Sequence, residues 1–377
     1  MDHTSHMRAA LGLARRNLGD TWPNPSVGCV IVCDGVVAGV GAGVVVGRAV
    51  TAPQGRPHAE PQALAMAGAR ARGATAYVTL EPCCFHGRTP PCTEALIAAG
   101  IARVVIGARD PDPRVDGRGI ARLREAGIEV IEGVLPAEAA EAAAGLYTRI
   151  QAGRPLVTLK LASTLDGKIA TSHGESRWIT GPAARRATHA LRGRHDAVMV
   201  GVGTAIADNP DLTCRIPGFK HVPGVRVVVD SRLRLPLTSQ LVATARTSPT
   251  WVLTREDADT ERAAALQAAG VELLRAPAAE TGIDLPAALH ALAERGLTRV
   301  LAEGGAALAA ALLRADLVDR IAWFHAPTIM GADGLPATEA FGIEMLTAMP
   351  RFKRTSVQPV GDDVMTEFTR TPGQEPT

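Results

Sequence analysis

Apolar positions along the chain follow two rhythms. Short runs of Val, Ile and Leu alternate with longer stretches in which Ala and Leu recur at helical spacing. Val27 to Val32 and Val36 to Val40 form a first pair of runs, and Asp34-Gly35 between them predicts a hairpin turn. His58 to Ala71 predicts a helix, and Ala76 to Leu80 a short buried strand. Thr93 to Ala99 predicts a second helix that Gly100 stops, and Arg103 to Ile106 another strand. That order argues for a layered α/β domain. A helical Ala/Glu run from Ala137 to Ala144 follows. Residues 151–155 then read as a connector before a new strand, Leu156 to Leu161. Strands near 197–201, 225–229, 250–253, 299–302 and 320–325, with helices between them, continue the alternation. The chain therefore divides into domains of 1–150 and 151–377, neither a copy of the other. Met1 to Asp20 is an amphipathic helical pattern, and Pro372 to Thr377 reads as a frayed tail.

Composition narrows the class. The chain has 377 residues, 46% hydrophobic and 21% charged, as ordinary globular domains do. Aromatics are only 3%, so aliphatic residues must build the cores. A net charge of +2 without long blocks of one sign gives no electrostatic case for nucleic acid or a membrane surface as partner. No apolar run approaches the ~20 residues of a membrane span, and the N-terminal pattern lacks the apolar stretch of a secretion signal. The expectation is a cytoplasmic protein. Six cysteines are too few for a disulfide scaffold. Cys83, Cys84 and Cys92 cluster within ten residues, which points to metal or catalysis.

The strongest local signal is His58-Ala59-Glu60 followed by Pro82-Cys83 and Cys92. Catalytic zinc takes three protein ligands and keeps a fourth position open. One imidazole and two thiolates make such a set, and Glu60, a carboxylate outside it, suits the proton transfer of a hydrolytic deamination. Zinc deaminases of nucleobases carry H-x-E followed by P-C-x-x-C. Here eight residues separate the cysteines, so a loop joins the two sulfurs, and spacing alone leaves Cys84 as a competing ligand. Cys29 and Cys33 lie on an apolar run and are assigned to packing.

Further motifs surround this set. Asn24-Pro25-Ser26-Val27-Gly28 precedes it, and Gly87-Arg88-Thr89-Pro90-Pro91 fills the cysteine loop. The second half carries Thr158-Leu159-Lys160, Leu165-Asp166-Gly167-Lys168, Trp178-Ile179-Thr180, residues 200–204 (VGVGT), residues 207–213 (ADNPDLT) and Glu303-Gly304-Gly305. In this order the two motif sets resemble the bifunctional riboflavin-biosynthesis deaminase–reductase family from about residue 8 to about 335. The resemblance implies a cytidine-deaminase-like three-layer domain joined to a dihydrofolate-reductase-like domain. It implies zinc-dependent deamination of 2,5-diamino-6-(5-phosphoribosylamino)pyrimidin-4-one, then NADPH reduction of the ribosyl group to ribityl. The glycine-rich stretch Gly39 to Gly43 lacks dinucleotide-binding spacing and reads as a bend.

The same resemblance implies residue roles. Glu60 is catalytic, and His58, Cys83 and Cys92 hold the metal. Asn24, Lys160, Ser176, Arg192, Leu212, Arg215 and Glu303 contact substrate, with Arg192 and Arg215 gripping its phosphate, as a planar guanidinium fork suits. Ala162, Trp178, Thr204, Asp208, Ser231 and Gly305 line the cofactor. Taken from the residues alone, Lys160 also reads as a surface lysine, Trp178 as a core aromatic, and Asp166-Gly167-Lys168 as a turn.

Two departures stand out. The family usually has His two residues after the first cysteine, where this chain has Phe85, with His86 next. The segment Gly43 to Pro57 is longer than usual and has no His. These motivate a rival reading, a zinc deaminase of another pyrimidine or purine with a retained or repurposed reductase half. A third reading is a binding protein on a degenerate enzyme fold, against which the intact His58, Glu60, Cys83 and Cys92 argue. The expected partner is a small phosphoribosyl pyrimidine. Homo-oligomerisation is a candidate state.

Overall fold

A computed structural model describes residues 3–33 and 43–371. The strand Val36 to Val40, its turn at Asp34-Gly35, the glycine-rich stretch from Gly39 and the tail from Pro372 lie outside the described residues. The chain divides into two compact units, Met1–Gly153 and Arg154–Thr377.

The first unit runs α1 (His3–Arg16), β1 (Gly28–Cys33), β2 (Val44–Val50), α2 (Ala59–Ala67), β3 (Thr75–Leu80), α3 (Cys92–Ala98), β4 (Arg103–Ala108), α4 (Arg118–Glu125), β5 (Glu129–Ile131), α5 (Pro136–Ala142) and α6 (Ala144–Ala152). Its sheet has the order β2-β1-β3-β4-β5. β1 is antiparallel to β2 and β3, and β3, β4 and β5 are parallel. Two glycines fix the layers. A Cβ at Gly28 would strike the Ala10 carbonyl of α1, and one at Gly47 the Ala63 carbonyl of α2. Gly47 pairs with Ile31, an odd number of residues from Gly28, so the two glycines face opposite sides of the sheet. Helices therefore cover both faces, with Met7 and Leu11 of α1 fully buried on theirs.

The connector expected at 151–155 is shorter than read. Helix α6 continues through Ala152, and Gly153, at φ 65°, ends it. The sequence reading also missed β2, whose run is broken by Gly47 and Arg48, and the charged helix α4.

The second unit runs β6 (Leu156–Thr164), β7 (Lys168–Thr171), α7 (Pro182–Gly193), β8 (Ala197–Gly201), α8 (Val202–Asp208), β9 (Val225–Val229), α9 (Gln240–Ala243), β10 (Thr250–Arg255), α10 (Thr260–Ala268) and β11 (Glu272–Ala276). The short pair β12 (Ala278–Ala279) and β13 (Gly282–Ile283) leads into α11 (Leu285–Glu294), β14 (Arg299–Glu303), α12 (Ala306–Arg314), β15 (Arg320–Ala326), β16 (Gly334–Pro336), β17 (Phe352–Val360) and β18 (Asp363–Arg370). Nine strands form one sheet, β11-β10-β9-β8-β14-β6-β15-β18-β17. All pairs are parallel up to β15, and β18 and β17 close the sheet antiparallel. The central strands β8, β9 and β14 are buried almost throughout, which suits their largely aliphatic content, and β9 also encloses the buried Arg226. In such sheets ligands bind at the carboxyl ends of the strands, where main chain leaves the sheet. Among the described residues no helix is long and apolar enough to cross a membrane.

Candidate active site

In the first unit, the start of α2 and the loop from β3 to α3 meet. His58 caps α2, Glu60 lies in that helix's first turn, Cys83 follows β3 closely, and Cys92 opens α3. His58 Nδ1 lies 3.3 Å from Cys92 Sγ and 3.8 Å from Cys83 Sγ. A tetrahedral zinc needs nitrogen and sulfur ligands roughly 3.5 Å apart, so the three atoms stand where one ion satisfies all of them. They form a potential metal group with ligand atoms within 4.8 Å of one another. With Nδ1 aimed at the sulfurs, the imidazole proton belongs on Nε2, which is buried and has no partner. Cys84 takes no part, because its thiol donates to the Arg114 carbonyl at 3.5 Å. Cys29 is buried, and Cys33 donates to the Arg70 carbonyl at 2.7 Å, so neither competes.

The electrostatics suit a metal. The Cys92 thiol donates to Cys83 and lowers the Cys83 pKa to about 4. The same bond, with burial, pushes Cys92 up. Glu60 is buried, and burial raises its pKa, so its carboxyl holds a proton more readily than an exposed one.

This cluster forms part of a cavity of about 310 Å³. Asn24 lines it, as expected, and its Nδ2 donates to the Gly55 carbonyl at 2.8 Å. The walls also hold Phe85, Asp110, Asp112 and Arg114, to which the sequence reading gave no site role or, for Phe85, only doubt about one. His86 is exposed and stands away from the cavity lining. Burial pushes Asp110 up to about 6. In the same wall, buried Glu81 accepts hydrogen bonds from Gly117 N at 3.0 Å, Ile120 N at 3.2 Å and Asp110 N at 3.4 Å. One carboxylate next to the Pro82-Cys83 turn thereby fixes the whole β4–α4 loop. The signal was a charged residue directly after the fully buried run of β3.

In the second unit, Lys160 on β6 pairs in register with Glu303 at the end of β14. Lys160 is half-buried, and burial lowers its pKa. Arg192 of α7 holds Glu303 in a fork, Nε to Oε1 at 2.6 Å and Nη2 to Oε2 at 2.9 Å, and Nη1 donates to the Thr213 carbonyl at 3.2 Å. Burial raises the Glu303 pKa, and the Arg192 guanidinium overrides it, leaving the carboxyl below its usual range. His189, which the sequence reading missed, sits beside this group. Its Nδ1 lies 3.1 Å from the Thr213 carbonyl, and Arg215 Nε donates to its Nε2 at 3.3 Å. Leu212 is buried at φ 60°, between Asp211 and Thr213.

The residues expected at a cofactor reach one edge. Ala162, Thr204, Ser231 and Gly305 lie at or just past the carboxyl ends of β6, β8, β9 and β14, which are neighbours in the sheet. The Thr204 side chain faces Gly304 and Gly305 at the open start of α12. Trp178 is 69% exposed, which overturns the core reading, and Arg185 stacks on it with Cζ 4.5 Å from the ring centre. Asp208 ends α8 and pairs loosely with Arg177 at 3.7 Å. Ser176 is half-buried between β7 and α7.

Comparison with known proteins agrees with both units. Residues 1–108 match the cytidine and deoxycytidylate deaminase zinc-binding region, and residues 155–366 match the RibD C-terminal domain. The chain belongs to the RibD family. The riboflavin biosynthesis protein RibD of Actinobacillus pleuropneumoniae is 41% identical over 98% of this chain and 95% of its own length. RibD of Escherichia coli K12 is 40% identical over 97% and 98%. Acinetobacter baumannii RibD (form 1) superposes with TM-score 0.86 at 37% identity, covering 98% of this chain and 99% of its own. A Thermotoga maritima protein described as a diaminohydroxyphosphoribosylaminopyrimidine deaminase/5-amino-6-(5-phosphoribosylamino)uracil reductase superposes at 0.82 with 35% identity and the same coverage. The RibD assignment gives the first unit a cytidine-deaminase-like fold and the second a dihydrofolate-reductase-like one.

Proposed function

We propose that the protein catalyses two consecutive steps of riboflavin biosynthesis. Residues 1–150 hydrolyse the 2-amino group of 2,5-diamino-6-(5-phosphoribosylamino)pyrimidin-4-one, releasing ammonia. Residues 151–377 then reduce the ribosyl group of the product to ribityl with NADPH. The observation that carries the reading is the His58, Cys83 and Cys92 set, with buried Glu60 beside it, opening into the first unit's cavity.

Zinc held by those three residues would supply the Lewis acidity that makes water nucleophilic near neutral pH. The chain's own part is to move protons. Glu60 takes the proton from the attacking water and gives it to the departing nitrogen, and its raised pKa matches that exchange. Asn24 and the walls of the cavity orient the ring.

In the second half, NADPH when bound supplies the hydride, and the residues position it. The edge holding Ala162, Thr204, Asp208, Ser231 and Gly305, with exposed Trp178 near α7, takes the cofactor. The free N–H groups where α12 begins suit one of its phosphates. Lys160 and Glu303 face the sugar. Arg192 holds Glu303 ionised and, with Arg215, Ser176 and Leu212, contacts the substrate. The cysteine-based metal site fits a reducing, cytoplasmic location.

A paired assay on zinc-loaded protein tests this. The diamino compound should release ammonia first, and NADPH should then be oxidised. NADPH oxidation on the supplied uracil intermediate, with no ammonia from the diamino compound, would mean that the first half acts on another ring, the alternative that Phe85 in the cavity wall favours.

A further inference from the structure

The cavity of the first unit has an aromatic wall that the zinc chemistry does not require. We infer that Phe85 is a substrate-positioning residue, stacked with Arg114 into a flat surface that takes the face of a planar aminopyrimidine. The inference rests on reading this cavity as a pyrimidine-deaminase site.

Three observations carry it. Phe85 lines the same cavity as Glu60 and Cys83, and it stands outside the apolar core of its unit. Its ring is covered on one side by the Arg114 guanidinium, with Cζ 4.3 Å from the ring centre. That guanidinium, on a side chain 66% exposed, is paired with Asp112. Arg114 Nε donates to Asp112 Oδ1 and Oδ2 at 3.0 and 3.2 Å, and Nη2 donates to Oδ2 at 2.5 Å. Asp112 N in turn donates to Asp110 Oδ1 at 2.9 Å, and the Cys84 thiol ties the Phe85 loop to the Arg114 carbonyl. The loop after β3 and the loop after β4 are thus joined face to face across the cavity wall.

The chemistry decides what the wall recognises. Asp112 pairs with Arg114 through Nε and Nη2, and the guanidinium lies over the Phe85 ring. Phe85 has no hydrogen-bonding atom, so it can discriminate only by shape and by its π face. The guanidinium covers one face of the phenyl ring, and a flat heterocycle is the ligand that stacks on a face this pair leaves open in the cavity.

Stacking of a base on an aromatic side chain is worth enough to predict a KM effect of about tenfold on truncation. The test is steady-state ammonia release from the diamino substrate by zinc-loaded Phe85→Ala, Phe85→Leu, Phe85→Tyr and Arg114→Gln. Zinc content is measured on each, together with calorimetric binding of the free base 2,5,6-triaminopyrimidin-4-one. Phe85→Ala should raise KM about tenfold, with kcat within about threefold and zinc retained. Phe85→Tyr should restore KM, Phe85→Leu should not, and Arg114→Gln should raise KM several-fold. An unchanged KM in Phe85→Ala, or full rescue by leucine, overturns the inference, since either reduces Phe85 to filler. Should the parent protein release no ammonia while its binding of the free base still depends on Phe85, the deaminase reading fails and the stacking wall stands. Ammonia release with KM and base binding both indifferent to Phe85 is the reverse result.

Discussion

Glu60 and Gln62 share one turn of α2, yet only Glu60 is buried beside the zinc group, and Gln62 spends its amide on the carbonyls of Val50, Pro57 and His58. That contrast isolates the proton carrier. Glu60→Gln should keep zinc and lower deaminase turnover by roughly 10²- to 10⁴-fold, read as ammonia release alongside metal content. Retained turnover would remove Glu60 from its role. A second single residue sets a pH dependence. His195 is fully enclosed, bonded to the Leu191 carbonyl at 2.7 Å and Thr158 Oγ1 at 2.9 Å, and burial lowers its pKa from 6.5 to about 3. The unfolded chain takes up that proton below pH 6.5, and the folded chain only near pH 3. Stability is therefore whole above pH 6.5 and falls as pH drops toward 3, by up to about 1.4 kcal/mol per pH unit for this one group. Urea unfolding of the second unit at several pH values should show the slope, and His195→Gln should flatten it.

At the scale of elements, the legible parts were those whose pattern is local. The strands β3, β4, β8, β9 and β14 are short and mostly apolar because both faces are covered, and the zinc ligands are rare residue types close in sequence. The hairpin of β17 and β18 was not legible, since it carries Lys353, Arg354 and Thr355 on a largely exposed edge and even includes Pro359. Asp110, Glu81 and His189 were missed for another reason. Each gains its role from a contact across at least 20 residues, as Glu81 does with Gly117 at 3.0 Å, and no local spacing announces such a contact. The β4–α4 loop offers a sharp check. A Cβ at Gly119 would strike the Pro82 carbonyl and lie 3.0 Å from Glu81 Oε1. Gly119→Ala should cost the first unit about 1–3 kcal/mol through overpacking and lower deaminase kcat/KM. Thermal release of zinc at the parental temperature would contradict it.

Among the described residues, each unit has its own sheet and its own group of candidate site residues. Cys83→Ser should lose zinc and weaken the first unit, while NADPH oxidation on the supplied uracil intermediate continues at the parental rate. Metal analysis and the two assays on one preparation decide it. Loss of both activities together would show that reduction depends on an intact first unit.

Glu81 satisfies three main-chain hydrogens of the β4–α4 loop, so that loop owes its shape to a carboxylate outside it. Asp110 and Asp112 each hold one further main-chain hydrogen of the loop, which leaves Arg114 the side chain of this wall that can be exchanged without rebuilding the scaffold. A point change at position 114 would then alter which ring is accepted while keeping the same hydrolytic centre.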